Sequence, residues 1–290
     1  MKAYEFVTVD VFTDRRFGGN PLAVFPDAQG LSDGEMQLLA TEFNLSETTF
    51  VLPPADPANT ARVRIFNRSA EMPFAGHPNV GTGWVLAQRG RARQGVLRFE
   101  EIAGLVEVKV ESDIVTIAAP QPLALGPEMP SALLAGCVGL AIDEVVVAAH
   151  RPVMASVGNS FVVAEVTPGG LTRAAPDLAR FREAHMQFPA LGPRRLPLYL
   201  YAHDGKVLRA RMFSPLSGTI EDAATGSAAT PLAALLLSLG GEQAHRCDIV
   251  QGVEMGRPSL LLASAHRAAD GIRASVGGGC VPVFSGEVSL

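Results

Sequence analysis

One stretch of this chain is written twice. RIFNRSAEMPFAGHPNVGTGWVLAQRG (Arg64–Gly90) aligns with RMFSPLSGTIEDAATGSAATPLAALLLSLG (Arg211–Gly240). Arg64-x-Phe66 matches Arg211-x-Phe213. After a three-residue difference in the connecting loop, Glu71 pairs with Glu221, Gly76 with Gly226 and Gly90 with Gly240, each 150 positions apart. Such self-similarity constrains the fold more than any single motif does. In both copies a strand is expected to run into a small-residue turn and then an apolar helix of about three turns that stops at a glycine.

The echo extends in both directions. GGNPLAVF (Gly18–Phe25) resembles VGNSFVVAEV (Val157–Val166), each a Gly-Asn turn entering a strand. A polar helix is expected between that strand and the Arg-x-Phe strand in each half, one from Ser32-Asp33 and the other from Pro176-Asp177. Downstream, LVEVKVESDIVTIAAP and SLLLASAHRAADGIRASVGG both read as two strands joined by an acidic turn. The chain is therefore expected to form two α+β domains of like fold, residues 1–119 and 120–280. They meet near Ala118–Pro130, a proline-rich joint of linker composition. A last strand, about 281–290, is free to return to the first domain.

Composition agrees with two cores. Of 290 residues, 48% are hydrophobic and 18% charged, so disorder is not expected. A net charge of -5, without a Lys/Arg cluster interleaved with aromatics, argues against a nucleic-acid partner. No apolar run reaches the roughly 18 residues of a membrane span. Glu5 and Asp10 interrupt the N-terminal apolar residues, so MKAYEFVTVDVF reads as a strand and not a signal peptide. Cys137, Cys247 and Cys280 are an odd, widely spaced set, which suggests free thiols and a cytoplasmic location.

Each half ends its strand in a glycine turn at a helix start: Ala75-Gly76-His77-Pro78 and Thr225-Gly226-Ser227-Ala228. The first backbone N–H groups of a helix lack intrahelical partners, and the helix dipole adds partial positive charge there. Such an end can seat a carboxylate, and glycine lets the backbone approach it. Pro78 costs no useful hydrogen bond if it is the first helical residue. Two such ends facing one another across a domain interface would grip a small anion. Taken singly, Ser227 reads equally as a plain N-cap and His77 as a turn residue. Glu71 and Glu221 are expected to hold the strand-to-turn backbone by hydrogen bonds.

Competing motifs fail. GHPNVGTG has the glycine spacing of a phosphate-binding loop, but Thr82 stands where the lysine should be. There is no HExxH, and the six histidines are scattered, so a dedicated metal site is unsupported. Neither a nucleophile elbow nor a dinucleotide fingerprint in its strand–helix context occurs.

These residues together resemble the PhzF family, the phenazine-biosynthesis isomerase-like proteins that share the diaminopimelate epimerase fold. The likeness runs through VDVFTDRRFGGNPLAVF, FNLSETTFV, PFAGHPNVGTG, EDAATGSAA, QGVEMGRPS and GGGCVPVFSGEV. It implies an α+β fold of two pseudo-symmetric domains, each a mostly antiparallel sheet wrapped round a central helix, with the site in the cleft between them. It implies a homodimer as well. Glu47 of LSETTF matches the family's catalytic glutamate. His77, Asp222 and Ser227 match polar substrate-binding residues, and Gly76 and Gly226 match its backbone-donor turns. Asn79 and Ala223 depart from the threonine and proline common beside the site, which bears on substrate identity more than on reaction type.

In the related epimerases two cysteines, one from each half, invert a carbon. By alignment those positions are Ala75 and Thr225, which cannot act as thiol bases, and the three cysteines lie elsewhere. The resemblance thus implies an isomerase with one carboxylate base, Glu47, moving a proton within a small carboxylate substrate, without cofactor or metal. Such work calls for a carboxyl whose pKa is raised toward neutrality by burial. The family's known substrate is trans-2,3-dihydro-3-hydroxyanthranilate. The alternative is a non-catalytic small-anion binder or scaffold that keeps the fold.

Overall fold

The computed structural model describes residues 2–290, which separate into two compact units. The first runs to Ala118 and includes Gly277–Leu290; the second spans Ala119–Val276.

In the first unit, β1 (Ala3–Val11) and β2 (Asn20–Phe25) lead through helix α1 (Asp33–Phe43) to β3 (Glu47–Leu52). Next, β4 (Ala61–Phe66) and β5 (Glu71–Met72) enter helix α2 (Gly76–Gln88), and β6 (Val96–Glu101), β7 (Gly104–Glu111) and β8 (Ile114–Ala118) follow. Paired strands are antiparallel except β2 with β3 and β4 with β6. At those two places a helix makes the connection, because parallel neighbours need a crossover. The C-terminal strand, Cys280–Ser289, pairs antiparallel with all of β1, from Ala3 opposite Ser289 to Val11 opposite Cys280.

The second unit opens with β9 (Ala124–Glu128), α3 (Ser131–Cys137), β10 (Val145–Val146), β11 (Val153–Ser156) and β12 (Ser160–Val166). Helices α4 (Pro168–Arg173) and α5 (Leu178–Gln187) cross to β13 (Leu198–Asp204) and β14 (Val207–Ser214). Then β15 (Thr219–Asp222) enters α6 (Gly226–Leu239), followed by β16 (Ala244–Gln251), β17 (Ser259–Ala268) and β18 (Gly271–Gly278). Its parallel pairs are β12 with β13 and β14 with β16, the topological counterparts of those in the first unit.

Local signals explain the elements. Ser32 caps α1 in a capping box, its Oγ accepting from the Glu35 N–H while the Glu35 carboxylate accepts from the Ser32 N–H at 2.7 Å. Asp177 caps α5 by accepting from Ala179 and Arg180 N–H groups at 2.8 and 3.1 Å. Ten of the residues of α2 are buried, as befits a central helix packed against β1, β2, β3, β7 and β8. The glycine spacing of GHPNVGTG is a packing device. A Cβ on Gly81 would stand 2.6 Å from Leu22 Cδ2, and one on Gly83 would stand 2.6 Å from Val108 Cγ1. Glycine there lets sheet strands close on the helix.

The repeated Arg-x-Phe…Glu pattern is an ion pair. Arg64 grips Glu71 with two bonds of 2.7 and 2.6 Å, and Arg211 grips Glu221 at 2.8 and 2.9 Å. Each guanidinium also lies over the phenylalanine two residues on, 5.1 Å from the Phe66 ring and 4.8 Å from that of Phe213. The two glutamates therefore bind an arginine side chain on the neighbouring strand and not the backbone as expected. A carboxylate matches the planar guanidinium fork better than it matches single amides. Among the described residues no helix is long and apolar enough to cross a membrane.

Candidate active site

Glu47 is the first residue of β3, opposite Leu22 of β2, and its side chain keeps 18% of its exposure. His77 is the second residue of α2 and only 6% exposed. The fold brings the two together, with His77 Nδ1 3.4 Å from Glu47 Oε2. That separation would suit an ion pair, but burial drives the imidazole pKa down to about 3, against a weak opposing contact from the Pro21 carbonyl. His77 is thus neutral near pH 7, and the contact joins a neutral imidazole to a carboxyl group. Its other nitrogen, Nε2, is buried and has no hydrogen-bond partner among the described residues.

The helix start carries little side-chain capping. Ala75, the N-cap, is extended and makes no capping bond. Gly76 is the first helical residue, which puts Pro78 third. The proline still falls in the first turn, where N–H groups have no intrahelical acceptor. Asn79 is fully buried; its Nδ2 donates to the Ala75 carbonyl at 3.1 Å, while Oδ1 has no partner among the described residues. Nearby, at the end of β6, both carboxyl oxygens of Glu101 are buried without a hydrogen-bond partner among those residues. Burial pushes its pKa up to about 8, with the Asn79 side chain lowering it in part.

The turn before α6 is built differently. Asp222 ends β15, half-buried, and Thr225 is the N-cap. The Thr225 hydroxyl makes no capping bond to the helix and donates to Asp222 Oδ2 at 2.6 Å. Gly226 and Ser227 are the first two residues of α6, the glycine buried and the serine half-buried. Ser227 therefore is not an N-cap. Fully buried Gln251, at the end of β16, bonds the turn through both ends of its amide.

Each predicted site residue thus lies at a helix start or at the edge of a strand beside one. Glu47, Gly76 and His77 gather in the first unit, and Asp222, Gly226 and Ser227 in the second. Sequence reasoning missed Glu101 and Gln251. The only sequence signal for Gln251 is its place before Gly252 in QGVEMGRPS. The thiols are held protonated: burial pushes Cys137 and Cys247 up to about 12, and Cys280 higher still.

Comparison with known proteins identifies the family. The family model described as phenazine biosynthesis-like protein, PhzC-PhzF, matches residues 9–286. The trans-2,3-dihydro-3-hydroxyanthranilate isomerase of Pseudomonas chlororaphis is 35% identical over 297 residues, covering 99% of this chain and 100% of its own. Among solved structures, the Bacillus anthracis phenazine biosynthesis protein of the PhzF family has a TM-score of 0.89 at 24% identity, with 100% of each chain covered. A hydroxyproline epimerase from Agrobacterium vitis has the same fold at a TM-score of 0.65 and 13% identity, covering 99% of this chain and 93% of its own. The chain belongs to the phenazine biosynthesis-like, PhzC-PhzF, family, and it is an isomerase.

Proposed function

We propose that this isomerase moves a proton between two carbons of a small carboxylate substrate, with Glu47 as the shuttle and no cofactor. The carboxylate takes a proton from one carbon, a double bond shifts, and the carboxylic acid, whose proton exchanges with solvent, delivers a proton to another carbon. One C–H bond breaks and one forms, so the step is redox-neutral. The observation that carries this reading is the placement of Glu47 beside the buried, neutral His77 at the start of α2. A neutral imidazole leaves the carboxylate's charge available for proton abstraction. Thr225 supports the same reading from the other half, since its hydroxyl proton is committed to Asp222.

In this scheme His77, Asp222 and Ser227 orient the substrate's polar groups, and the backbone N–H groups at Gly76 and Gly226 donate to its anionic end. The similarity to trans-2,3-dihydro-3-hydroxyanthranilate isomerase makes a cyclic dihydro amino acid the favoured substrate class. Family likeness also supports a homodimer, which the solution mass checks.

The test is incubation with trans-2,3-dihydro-3-hydroxyanthranilate and related acids in D2O, following C–H exchange by NMR. Glu47→Gln is expected to lose about 10³-fold in turnover, the scale of a lost general base. Exchange that survives this substitution, or binding of a panel member with no exchange, overturns the mechanism.

A further inference from the structure

We propose that Thr225 and Gln251 are positioning residues that aim Asp222, and that the position holding a thiol base in two-cysteine relatives serves here as a carboxylate clamp. The proposal rests on the reading that Asp222 meets the substrate.

The proton positions follow from the hydrogen bonds. Gln251 Oε1 accepts from the Thr225 N–H at 3.2 Å and from the Tyr199 hydroxyl at 3.2 Å. Its Nε2 donates to the Asp222 carbonyl at 2.8 Å and to Thr225 Oγ1 at 3.0 Å. Every donor and acceptor of the amide is used, and flipping it would set donor against donor. Because Oγ1 already accepts from Gln251, the one hydroxyl proton of Thr225 is directed to Asp222 Oδ2, 2.6 Å away. Burial holds the Tyr199 phenol well above its ordinary pKa, so it remains a donor.

The backbone is clamped from the same side. Gly252 has φ +77, and a Cβ there would stand 2.6 Å from the Ala223 carbonyl oxygen. Ser259 Oγ donates to that same carbonyl at 2.9 Å. The ends of β16 and β17 thus fix both the chain and the side-chain rotamer of the Asp222–Thr225 turn. A hydroxyl donor to a carboxylate stabilises the charged form and fixes the orientation of the group.

Thr225→Val keeps shape and removes the donor, whereas Thr225→Ser keeps the donor. In the D2O exchange assay, Thr225→Val is expected to lose roughly 10- to 100-fold in kcat/KM, chiefly through KM, and Thr225→Ser to recover most of it. Gln251→Glu, which replaces the amide donor by an acceptor, is expected to match Thr225→Val. A readout free of substrate is the carboxyl ¹³C titration of Asp222, assigned with Asp222→Asn; it should move to higher pH in Thr225→Val and not in Thr225→Ser. Equal losses in the valine and serine variants, or an unmoved titration, overturn the clamp. If Glu47→Gln and Asp222→Asn are inactive while Thr225→Val behaves as wild type, only the clamp fails. If Asp222→Asn is itself unaffected, the substrate role of Asp222 fails and the clamp's function goes with it.

Discussion

Glu101 and Gln251 occupy the same place in the two units, at the ends of β6 and β16 and 150 positions apart. The registers coincide: Ala61 stands opposite Phe99 in one unit, and Leu208 opposite Ile249 in the other. Their surroundings do not. Gln251 makes four hydrogen bonds, three of them to its turn, while neither oxygen of Glu101 has a partner with hydrogen-bond geometry among the described residues. An amide offers donors and acceptors together, so it can bind the N–H and C=O of one turn; a carboxylate offers acceptors alone. The second unit therefore has a turn locked for holding. The first has buried, sparsely bonded groups around its helix start, the setting of the proton transfer proposed for Glu47.

What the units share can be broken first. Arg211, 6% exposed, donates to the carbonyls of Leu171 and Ala174 at 2.9 and 2.7 Å besides gripping Glu221. Arg64 instead reaches outward to Asp33, which is 83% exposed. Arg211→Ala should therefore cost about 3–5 kcal/mol in urea unfolding, since it strands a half-buried carboxylate and buried carbonyls. Arg64→Ala should cost only about 1–2 kcal/mol. Equal losses would mean that burial does not separate the two pairs.

The alkaline and acid limbs of stability sharpen the contrast. Glu101 is raised from 4.5 to about 8, so the folded chain keeps this proton where the unfolded chain has lost it. Its contribution is full below pH 4.5 and is lost as pH rises through 8. His77 is lowered from 6.5 to about 3, so its contribution is full above pH 6.5 and is lost as pH falls through 3. Glu101→Gln, which installs the amide of the second unit, should flatten the fall of the urea midpoint between pH 4.5 and 8. His77→Asn should flatten the acid limb. An alkaline limb unchanged by Glu101→Gln would show that this carboxyl is charged in the folded state.

The repeat made α2 and α6, their glycine starts and the strands before them legible, because those features are local in sequence. Partners were not. Arg64 and Glu71 were both visible, but only strand pairing shows that they bind each other. Gln251 has its partners 26 and 52 residues away, and nothing in QGVEMGRPS announces them. A glutamate at a strand start reads as exposed, and Glu47 stood out only through the family likeness of LSETTF. Its low exposure and its histidine neighbour depend on the packing of β3 against α2. Helices α3 and α4, with no counterpart in the repeat, left no comparable signal.

The smallest effect concerns a polar contact that one central helix has and the other lacks. Thr82 of α2 and Thr49 of β3 are fully buried, and their hydroxyls lie 2.8 Å apart. The residue 150 positions after Thr82 is Leu232, also fully buried, so α6 carries a hydrocarbon side chain at that place. Thr82→Val keeps the shape but leaves the Thr49 hydroxyl without that partner, and should cost about 1–2 kcal/mol. Converting both threonines to valine removes the stranded group and should bring stability back to within about 0.5 kcal/mol of wild type. A double-mutant cycle in urea reads the coupling directly. Additive losses would show that the hydroxyl pair is not what joins α2 to β3, and that the first unit, like the second, is held at this layer by packing.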